Sequence, residues 1–302
     1  MTCYSPVPVW RSKEVNASGK RSLVFSENLG IDGTRMEIPC RHCIGCRLDR
    51  AAEWQSRLVH ESKLHPINSF ITLTYDQDHL PKDGSLVKKH FQDFMKRLRK
   101  NTGVKLRYFV CGEYGENTGR PHYHAIIFGY DWPDKRHYAT NSRGDRRYVS
   151  SALDAQWSFG KCEIGSVTPE SCGYVARYVM KKIVGEQAKE HYQRIDPLTG
   201  EVHDLLPEYV NMSTRPGIGH GFFHKFKDEL ISQDSVMVKG RKVKLPKYYD
   251  KLIDKEDPYQ LEMMKFDRST KANERKENNT PERLAVREEV KHAQIRQLKR
   301  TL

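Results

Sequence analysis

The middle of the chain alternates between two hydrophobic periods, one typical of strands and one typical of helices. Residues 69–75, SFITLTY, are rich in β-branched and aromatic side chains and predict a strand. Residues 85–101 place Phe91, Phe94 and Leu98 on one face and basic side chains on the other. This spacing predicts an amphipathic helix directly after the first strand.

Two further strands are predicted next, at residues 105–113 and 121–129, where apolar and aromatic residues again dominate. Gly115, Asn117 and Gly119 lie between them and permit a reversal of the chain. The simplest connection is an antiparallel hairpin, so we expect the two strands to lie side by side.

The pattern then continues to residue 184. Residues 130–150 are polar and basic and predict a loop or insertion, residues 151–158 a short helix, residues 160–168 a strand and residues 169–183 a helix. This order of elements predicts an α+β domain over residues 67–184, built on a central antiparallel β-sheet flanked by helices.

The flanking segments are less regular. Residues 1–66 predict an N-terminal arm, irregular or short-stranded at first, with a cysteine cluster that leads into a helix. We interpret residues 185–261 as a C-terminal extension of the central domain. Residues 262–302 are almost wholly charged or amide-bearing and predict a charged tail that is either a solvated helix or disordered.

Composition narrows the class of partner. Lys and Arg together number 52 against 39 Asp and Glu, so the 302-residue chain carries a net charge of +13. Such an excess favours a polyanionic partner, and nucleic acid is the leading one. No apolar run is long enough to span a bilayer, so we expect no membrane partner. The first residues lack the pattern of a secretory signal, so we expect a reducing cytoplasm and cysteines that are thiols or metal ligands.

The pair His122 and His124, in the stretch RPHYH, predicts a metal site. Residues two apart on a strand share a face, so both imidazoles point the same way. Glu113, across the predicted hairpin, supplies a carboxylate, and Glu116 is a fallback ligand. Such a set leaves positions open on a divalent cation. By itself, an H-x-H pair is equally compatible with ordinary surface or core histidines.

A second constellation lies in YVARYVMKK, residues 174–182. Tyr174 and Tyr178 are four apart, so a helix presents both phenols on one face, and Lys181 and Lys182 follow one turn later. Phenols are poor nucleophiles at neutral pH unless a cation or a base assists them. Taken alone, the two tyrosines are equally consistent with core packing.

These motifs together resemble a known family. The strand FITLTY, the motif GEYG followed by RPHYH, and the helix YVARYVMKK resemble, in order and spacing, the two-tyrosine HUH endonucleases. Within them, the chain is most similar to the replication initiator proteins of Microviridae, in particular the gokushovirus branch, a likeness to which PCRHCIGCRLDRAAEW and RPGIGHGFF contribute. One departure is Tyr123, at a position where the motif has an apolar residue; we expect it to pack on the opposite face.

The resemblance implies a fold and a site. The core would be ferredoxin-like or RRM-like, and His122, His124 and Glu113 would bind Mg²⁺ or Mn²⁺. Either Lys181 or Lys182 would stabilise charge on phosphate or phenolate.

The resemblance also implies an activity. One of Tyr174 and Tyr178 would attack single-stranded DNA at a replication origin, forming a 5′-phosphotyrosyl link and a free 3′-hydroxyl for rolling-circle replication. The second tyrosine would then cleave the regenerated origin, and rejoining would release circular genomes. The implied partners are origin DNA and host helicase and polymerase, in the cytoplasm of a bacterial host.

Three other functions remain open from the sequence. An HUH transposase or plasmid initiator would use the same core chemistry. A non-catalytic single-stranded DNA-binding protein would keep the fold without needing the tyrosines. A ferrous-iron site of two His and one carboxylate leaves the tyrosine pair and the basic charge unexplained.

Cys40, Cys43 and Cys46 form a C-x2-C-x2-C motif, whose spacing suits thiolates that converge on one Zn²⁺. Cys3 is our first choice for the fourth ligand and His42 the second. An iron–sulfur cluster or three free thiols are the alternatives. The other cysteines, Cys111, Cys162 and Cys172, fall in predicted strands or helices, where we expect packed apolar side chains.

Basic residues alternate with aromatic ones in several stretches, as in proteins that bind single strands. We expect the insertion with Arg143, Arg146 and Arg147 to grip origin DNA.

Overall fold

The structure, a computed structural model, describes residues 3–180, 186–195, 199–274 and 276–297. The chain forms two compact units. Unit 1 combines Met1–Arg50 with Asp254–Leu302, and unit 2 comprises Ala51–Ile253.

Unit 1 brings the two ends of the chain together. Its strands form a three-stranded antiparallel sheet in the order β2-β1-β3, so the arm is short-stranded. The charged tail is helical. The elements are β1 (Val7–Val15), β2 (Arg21–Val24), β3 (Met36–Ile38), α9 (Pro258–Asn273), α10 (Pro281–Gln297) and short 3-10 helices at Glu27–Leu29 and Lys276–Asn279. Helix α1 (Ile44–Ser62) begins in unit 1, and α8 (Lys247–Glu256) ends there.

Unit 2 is built on a seven-stranded sheet in which every neighbouring pair is antiparallel. Its order is β12-β5-β6-β4-β9-β8-β7. The strands are β4 (Asn68–Thr74), β5 (Arg107–Tyr114), β6 (Pro121–Phe128), β7 (Arg136–Thr140), β8 (Arg146–Val149), β9 (Cys162–Gly165) and β12 (Tyr209–Met212). The prediction of an α+β domain with a central antiparallel sheet flanked by helices is confirmed.

Helices and two small hairpins complete unit 2. The remaining elements are α2 (Lys88–Thr102), α3 (Ser151–Trp157), α4 (Pro169–Arg177), α5 (Glu186–His191), α6 (His220–Lys225), α7 (Lys227–Gln233), β10 (Gln193–Ile195), β11 (Val202–Asp204), β13 (Ser235–Val238), β14 (Arg241–Lys244) and a 3-10 turn at Tyr178–Met180. The inner strands follow the order β5-β6-β4-β9 with α2 and α3 as connections, which is the β-α-β-β-α-β arrangement. The strand that carries the two histidines is therefore central.

One face of the sheet, defined by Leu73, Tyr123 and Ala125, packs against α2 and α3. The α2 side chains Phe91 and Phe94 are at most 1% exposed, and burial of each stabilises the fold by about 1.5–3 kcal/mol. Tyr123, as predicted, packs on this face, opposite the histidines that flank it in sequence.

The other face, defined by Phe109, His124 and Ile126 and called the histidine face below, packs against α1 and α4. Leu58 of α1 and Val175 of α4 are fully buried there. This packing holds α4, the helix that carries Tyr174, over the strand that carries His124. The cysteines outside the cluster are buried as predicted, namely Cys111, Cys162 and Cys172.

The segment 130–150 differs from the predicted loop. It forms the antiparallel pair β7 and β8, which joins the edge of the sheet through a pairing of Tyr148 with Ile164. The alternation was hidden because β7 is almost wholly exposed and carries no apolar face. No helix among the described residues has the length and hydropathy needed to cross a bilayer.

Candidate active site

The register of the sheet determines which side chains meet His122 and His124. On one side, β5 places Glu113 directly opposite His122. On the other side, β4 places Thr72 opposite His124. Directly paired residues on adjacent strands share a face, so these side chains converge on the histidine face.

Glu113 lies between the two imidazoles. Its Oε1 is 2.9 Å from His122 Nε2 and 3.0 Å from His124 Nε2. The Glu113 side chain is only 3% exposed. One ligand atom from each of the three residues lies within 4.8 Å of the others. The described structure thus brings together the trio that the sequence singled out.

The outer nitrogens of both rings are held in place by other groups. His122 Nδ1 is 3.2 Å from the carbonyl oxygen of Arg120, and His124 Nδ1 is 3.0 Å from Thr72 Oγ1. A carbonyl oxygen only accepts, so His122 Nδ1 carries a hydrogen and Nε2 of the neutral ring presents a lone pair to a carboxylate. A positive charge, a proton or a metal ion, must then separate them, and ring anchoring of this kind is typical of metal-binding histidines.

The carboxyl group of Glu113 favours its charged form. Burial raises its pKa, but hydrogen bonds from His122 and His124 outweigh burial and lower that pKa well below its usual range. Two imidazole nitrogens and one buried carboxylate match the ligands that Mn²⁺ and Mg²⁺ accept. The residues therefore fit a divalent cation.

Both tyrosines reach this cluster. The Tyr174 hydroxyl is 3.2 Å from His124 Nε2, and the Tyr178 hydroxyl donates a hydrogen bond to the Tyr174 hydroxyl. The ring of Tyr178 stacks on that of His124, with centroids 5.7 Å apart. Tyr178 is 6% exposed, whereas Tyr174 is half-buried, so Tyr174 is the more accessible phenol.

The environment keeps both phenols neutral. Burial raises the pKa of Tyr174, and burial together with the nearby Glu113 charge raises that of Tyr178. Neither group ionises readily by itself. A cation at the Glu113 cluster would counter the negative charge that disfavours the phenolates.

Local sequence fixes the start of the tyrosine helix. Thr168 caps α4 by accepting from the Ser171 backbone N–H at 3.2 Å, and the Ser171 hydroxyl caps in return at 2.8 Å. Pro169 stands at the first turn, where its missing N–H is no loss. Gln55 Nε2 of α1 donates to the Pro169 carbonyl oxygen at 2.6 Å, and a Cβ on Gly173 would lie 2.7 Å from the Gln55 side chain. Gly173 thus permits α1 and α4 to approach closely.

Sequence reasoning missed two neighbours of the site. Thr72 holds His124, and Phe70 stacks on the His124 ring at 5.7 Å. Both lie on β4 at alternate positions, so their shared face was visible in FITLTY. Their contact with His124 depends on the β4–β6 register, which no local pattern sets.

Several other predicted residues lie elsewhere. Lys181 and Lys182 fall outside the described residues. Glu116 lies exposed in the β5–β6 turn, away from the three converging ligand atoms.

The hairpin of β7 and β8 carries the three predicted DNA-binding arginines. Arg143 is exposed in the turn, and Arg146 begins β8 and is also exposed. Arg147 faces Glu163 of β9, with Nη1 3.6 Å from Oε2. Arg143 and Arg146 are thus the more accessible cations of the three.

The cysteine cluster forms in unit 1. Sulfur atoms of Cys3, Cys40, Cys43 and Cys46 all lie within 4.8 Å of one another, and His42 is not part of this group. The Sγ atoms of Cys40 and Cys46, and those of Cys43 and Cys3, are 4.0 Å apart.

The surroundings of the cluster favour thiolates. The backbone N–H of Tyr4 donates to Cys43 Sγ at 3.3 Å. Burial opposes ionisation of Cys43, but N–H donation from Tyr4 and Cys46 lowers its pKa to about 7. Leu284 of α10 packs on the cluster, which links the two ends of unit 1.

Comparison with known proteins places the chain among phage proteins. A family model described as a replication-associated protein of the ORF2 type matches residues 68–183. The replication-associated protein VP4 of Bdellovibrio phage phiMH2K is 35% identical over 269 residues, which cover 85% of this chain and 79% of that protein.

Two further relatives agree. The replication-associated protein ORF2 of Spiroplasma virus 4 is 33% identical, covering 76% of this chain and 72% of that protein. The replication-associated protein ORF4 of Chlamydia phage 1 is 30% identical, covering 72% of this chain and 54% of that protein. No solved structure matches the chain. The extent and identity of these matches show that the chain belongs to the replication-associated proteins of Microviridae-like phages.

Proposed function

We propose that the chain initiates rolling-circle replication by nicking single-stranded origin DNA with a tyrosine nucleophile. Its relatives, named replication-associated proteins of phages, support the coarser role in DNA replication. The observation that carries the finer proposal is the meeting of two phenols, two imidazoles and a buried carboxylate in one site on a basic protein.

In this proposal, Tyr174 attacks first. Its hydroxyl is the more accessible of the two and faces His124, whereas the Tyr178 hydroxyl lies behind it. The Tyr174 oxygen bonds to the scissile phosphorus as the bond from phosphorus to the 3′ oxygen breaks. The 3′ oxygen takes up a proton and leaves as a 3′-hydroxyl, and the 5′ phosphate remains on the tyrosine.

The residues that would hold a divalent cation are Glu113, His122 and His124. When bound, Mg²⁺ or Mn²⁺ supplies Lewis-acid polarisation of the phosphate. Thr72 and the Arg120 carbonyl orient the two rings, and Phe70 supports His124 from the side. Tyr178 is positioned for the second cleavage, which regenerates a nicked strand and permits closure of a circle.

The test uses labelled single-stranded DNA that spans the origin, with Mn²⁺, Mg²⁺ or EDTA. We expect the 5′-labelled strand to shorten to a product whose 3′-hydroxyl a polymerase extends, and the 3′-labelled strand to migrate with the protein under denaturing conditions. Both products should require the metal. Tight binding without either product would favour a non-catalytic single-strand binder instead.

We also propose that the hairpin of β7 and β8 contacts origin DNA through its arginines. Replacing Arg143, Arg146 and Arg147 together by Ala should weaken binding of single-stranded DNA about tenfold, because each cation neutralises a phosphate. Replacing Arg147 alone should have a smaller effect, since Arg147 already faces Glu163. Fluorescence anisotropy measures both affinities, and an unchanged affinity of the triple variant would rule out the hairpin contact.

We further propose that Cys3, Cys40, Cys43 and Cys46 hold a structural Zn²⁺. Sulfurs around a tetrahedral zinc lie about 3.8 Å apart, given zinc–sulfur bonds of about 2.3 Å, and the measured separations of 4.0 Å are close to this. A bound metal would join the N-terminal arm to the segment that begins α1.

Mass spectrometry under native conditions should find about one zinc per chain. Cys3→Ser should lose most of that zinc and unfold unit 1, which limited proteolysis detects, because a structural zinc contributes about 10 kcal/mol or more to folding. His42→Ala is the matched control and should retain the metal. Zinc loss in His42→Ala with retention in Cys3→Ser would contradict the proposed ligand set.

A further inference from the structure

Unit 2 contains a basic cleft that the proposed chemistry does not use. Its cavity is about 760 Å³ and lies where β5 begins and β12 ends. Arg107, at this end of β5, is six residues from Glu113 along the same strand. At about 3.4 Å per residue, the cleft therefore lies about 20 Å from the candidate metal ligands.

The charges that line the cleft are unbalanced. Four cationic side chains face a single carboxylate, that of Glu61. Glu61 is already committed, since it accepts from Arg107 and from the Gly219 backbone N–H at 2.7 Å. The net positive charge therefore belongs to the other cations, which are Arg99, Lys105 and Arg215.

These cations are arranged in different ways. The Arg99 guanidinium donates twice to the Leu106 carbonyl oxygen, at 3.2 and 2.8 Å, and lies 5.5 Å from the centre of the Tyr108 ring. Lys105 and Arg215 are exposed, and neither forms a hydrogen bond or ion pair with another residue in the described ranges. The cleft thus combines one fixed guanidinium with two cations available to a ligand.

The lining favours phosphate over bases. Its tyrosine, Tyr108, is half-buried and covered by Arg99, so it offers little open aromatic face for stacking. Thr214 adds an exposed hydroxyl beside Arg215. Cations and a hydroxyl in a concave site match the phosphate groups of a nucleic-acid backbone.

We propose that this cleft binds the phosphodiester backbone of the origin strand at a distance from the cleavage point, independently of base sequence. This inference rests on the proposed nicking function for the identity of the strand. A strand that occupies both sites must span about 20 Å along the sheet. A short oligonucleotide centred on the cleavage point reaches only the metal ligands.

The experiment compares the double variant Lys105→Ala/Arg215→Ala with the wild-type protein in EDTA, where binding is measured without cleavage. For a long single strand, we expect affinity to fall about tenfold and the dependence of log K on log salt to become shallower by about 1.4, from two lost phosphate contacts. The loss should be equal for origin and scrambled sequences. The control Lys247→Ala/Lys251→Ala removes two exposed charges of α8 that do not line the cleft and should bind as wild type.

A second arm separates this proposal from the nuclease itself. The double variant should cleave a short oligonucleotide at the wild-type rate in Mn²⁺, because the short strand does not reach the cleft. If neither protein cleaves, the nuclease proposal fails while the binding result still decides the cleft. Unchanged affinity and salt dependence for the long strand would overturn the cleft proposal, as would a loss seen with duplex DNA alone.

Discussion

Replacing Tyr174 by Phe should abolish the first strand cleavage, with a fall in rate of about 10³-fold or more. The variant removes the nucleophilic oxygen and keeps the ring that packs on His124 at a centroid distance of 5.1 Å. The lost hydrogen bonds should cost only about 1 kcal/mol of stability, so the protein should fold. A denaturing gel of labelled origin DNA in Mn²⁺ measures the rate, and circular dichroism verifies the fold.

Tyr178→Phe is the matched variant on the same helix. Because its hydroxyl lies behind that of Tyr174, we expect the first cleavage to continue and the second transfer, which releases the closed circle, to be lost. Full first cleavage in Tyr174→Phe, together with its loss in Tyr178→Phe, would reverse the proposed order. Cleavage that survives in the double Phe variant would exclude both phenols as nucleophiles.

Replacing Glu113 by Gln should reduce cleavage about 10³-fold while single-stranded DNA still binds. The amide keeps the size of the carboxylate and removes the charge that both imidazoles face at 2.9 and 3.0 Å. A neutral oxygen is a weak ligand for Mg²⁺ or Mn²⁺, so metal affinity should fall with activity. Titration calorimetry with Mn²⁺ measures the affinity, and the gel assay measures the rate.

Glu116→Gln provides the control for this prediction. Glu116 lies three residues further along the chain, exposed in the turn, and is not among the converging ligand atoms. Its substitution should leave Mn²⁺ affinity and cleavage unchanged. Equal losses in both variants, or unchanged Mn²⁺ affinity in Glu113→Gln, would contradict the assignment of Glu113 as the carboxylate ligand.

Local periodicity explains which parts of the fold could be predicted. The strand at 69–75 and the helix at 85–101 are strongly periodic, and the structure places β4 and α2 there. The H-x-H pair and the tyrosine pair follow from periods of two and of about four, so their shared faces were evident from the sequence. These features depend only on neighbouring residues.

The missed features depend on long-range contacts. The contact of Thr72 with His124 requires the register of β4 against β6, which a shift of one residue would invert. The packing of Leu284 on the cysteine cluster joins opposite ends of the chain. The basic cleft gathers residues from several loops, including Lys105 and Arg215, that no short motif links.

The central claim, covalent catalysis by a tyrosine at a metal site, is tested most directly by mass spectrometry of the protein after reaction with single-stranded origin DNA. The account predicts that, with Mn²⁺, the peptide containing Tyr174 carries a nucleotide joined through its 5′ phosphate, and that EDTA abolishes this adduct. An adduct on a residue other than Tyr174 or Tyr178, or cleaved DNA with no protein adduct at all, would contradict it.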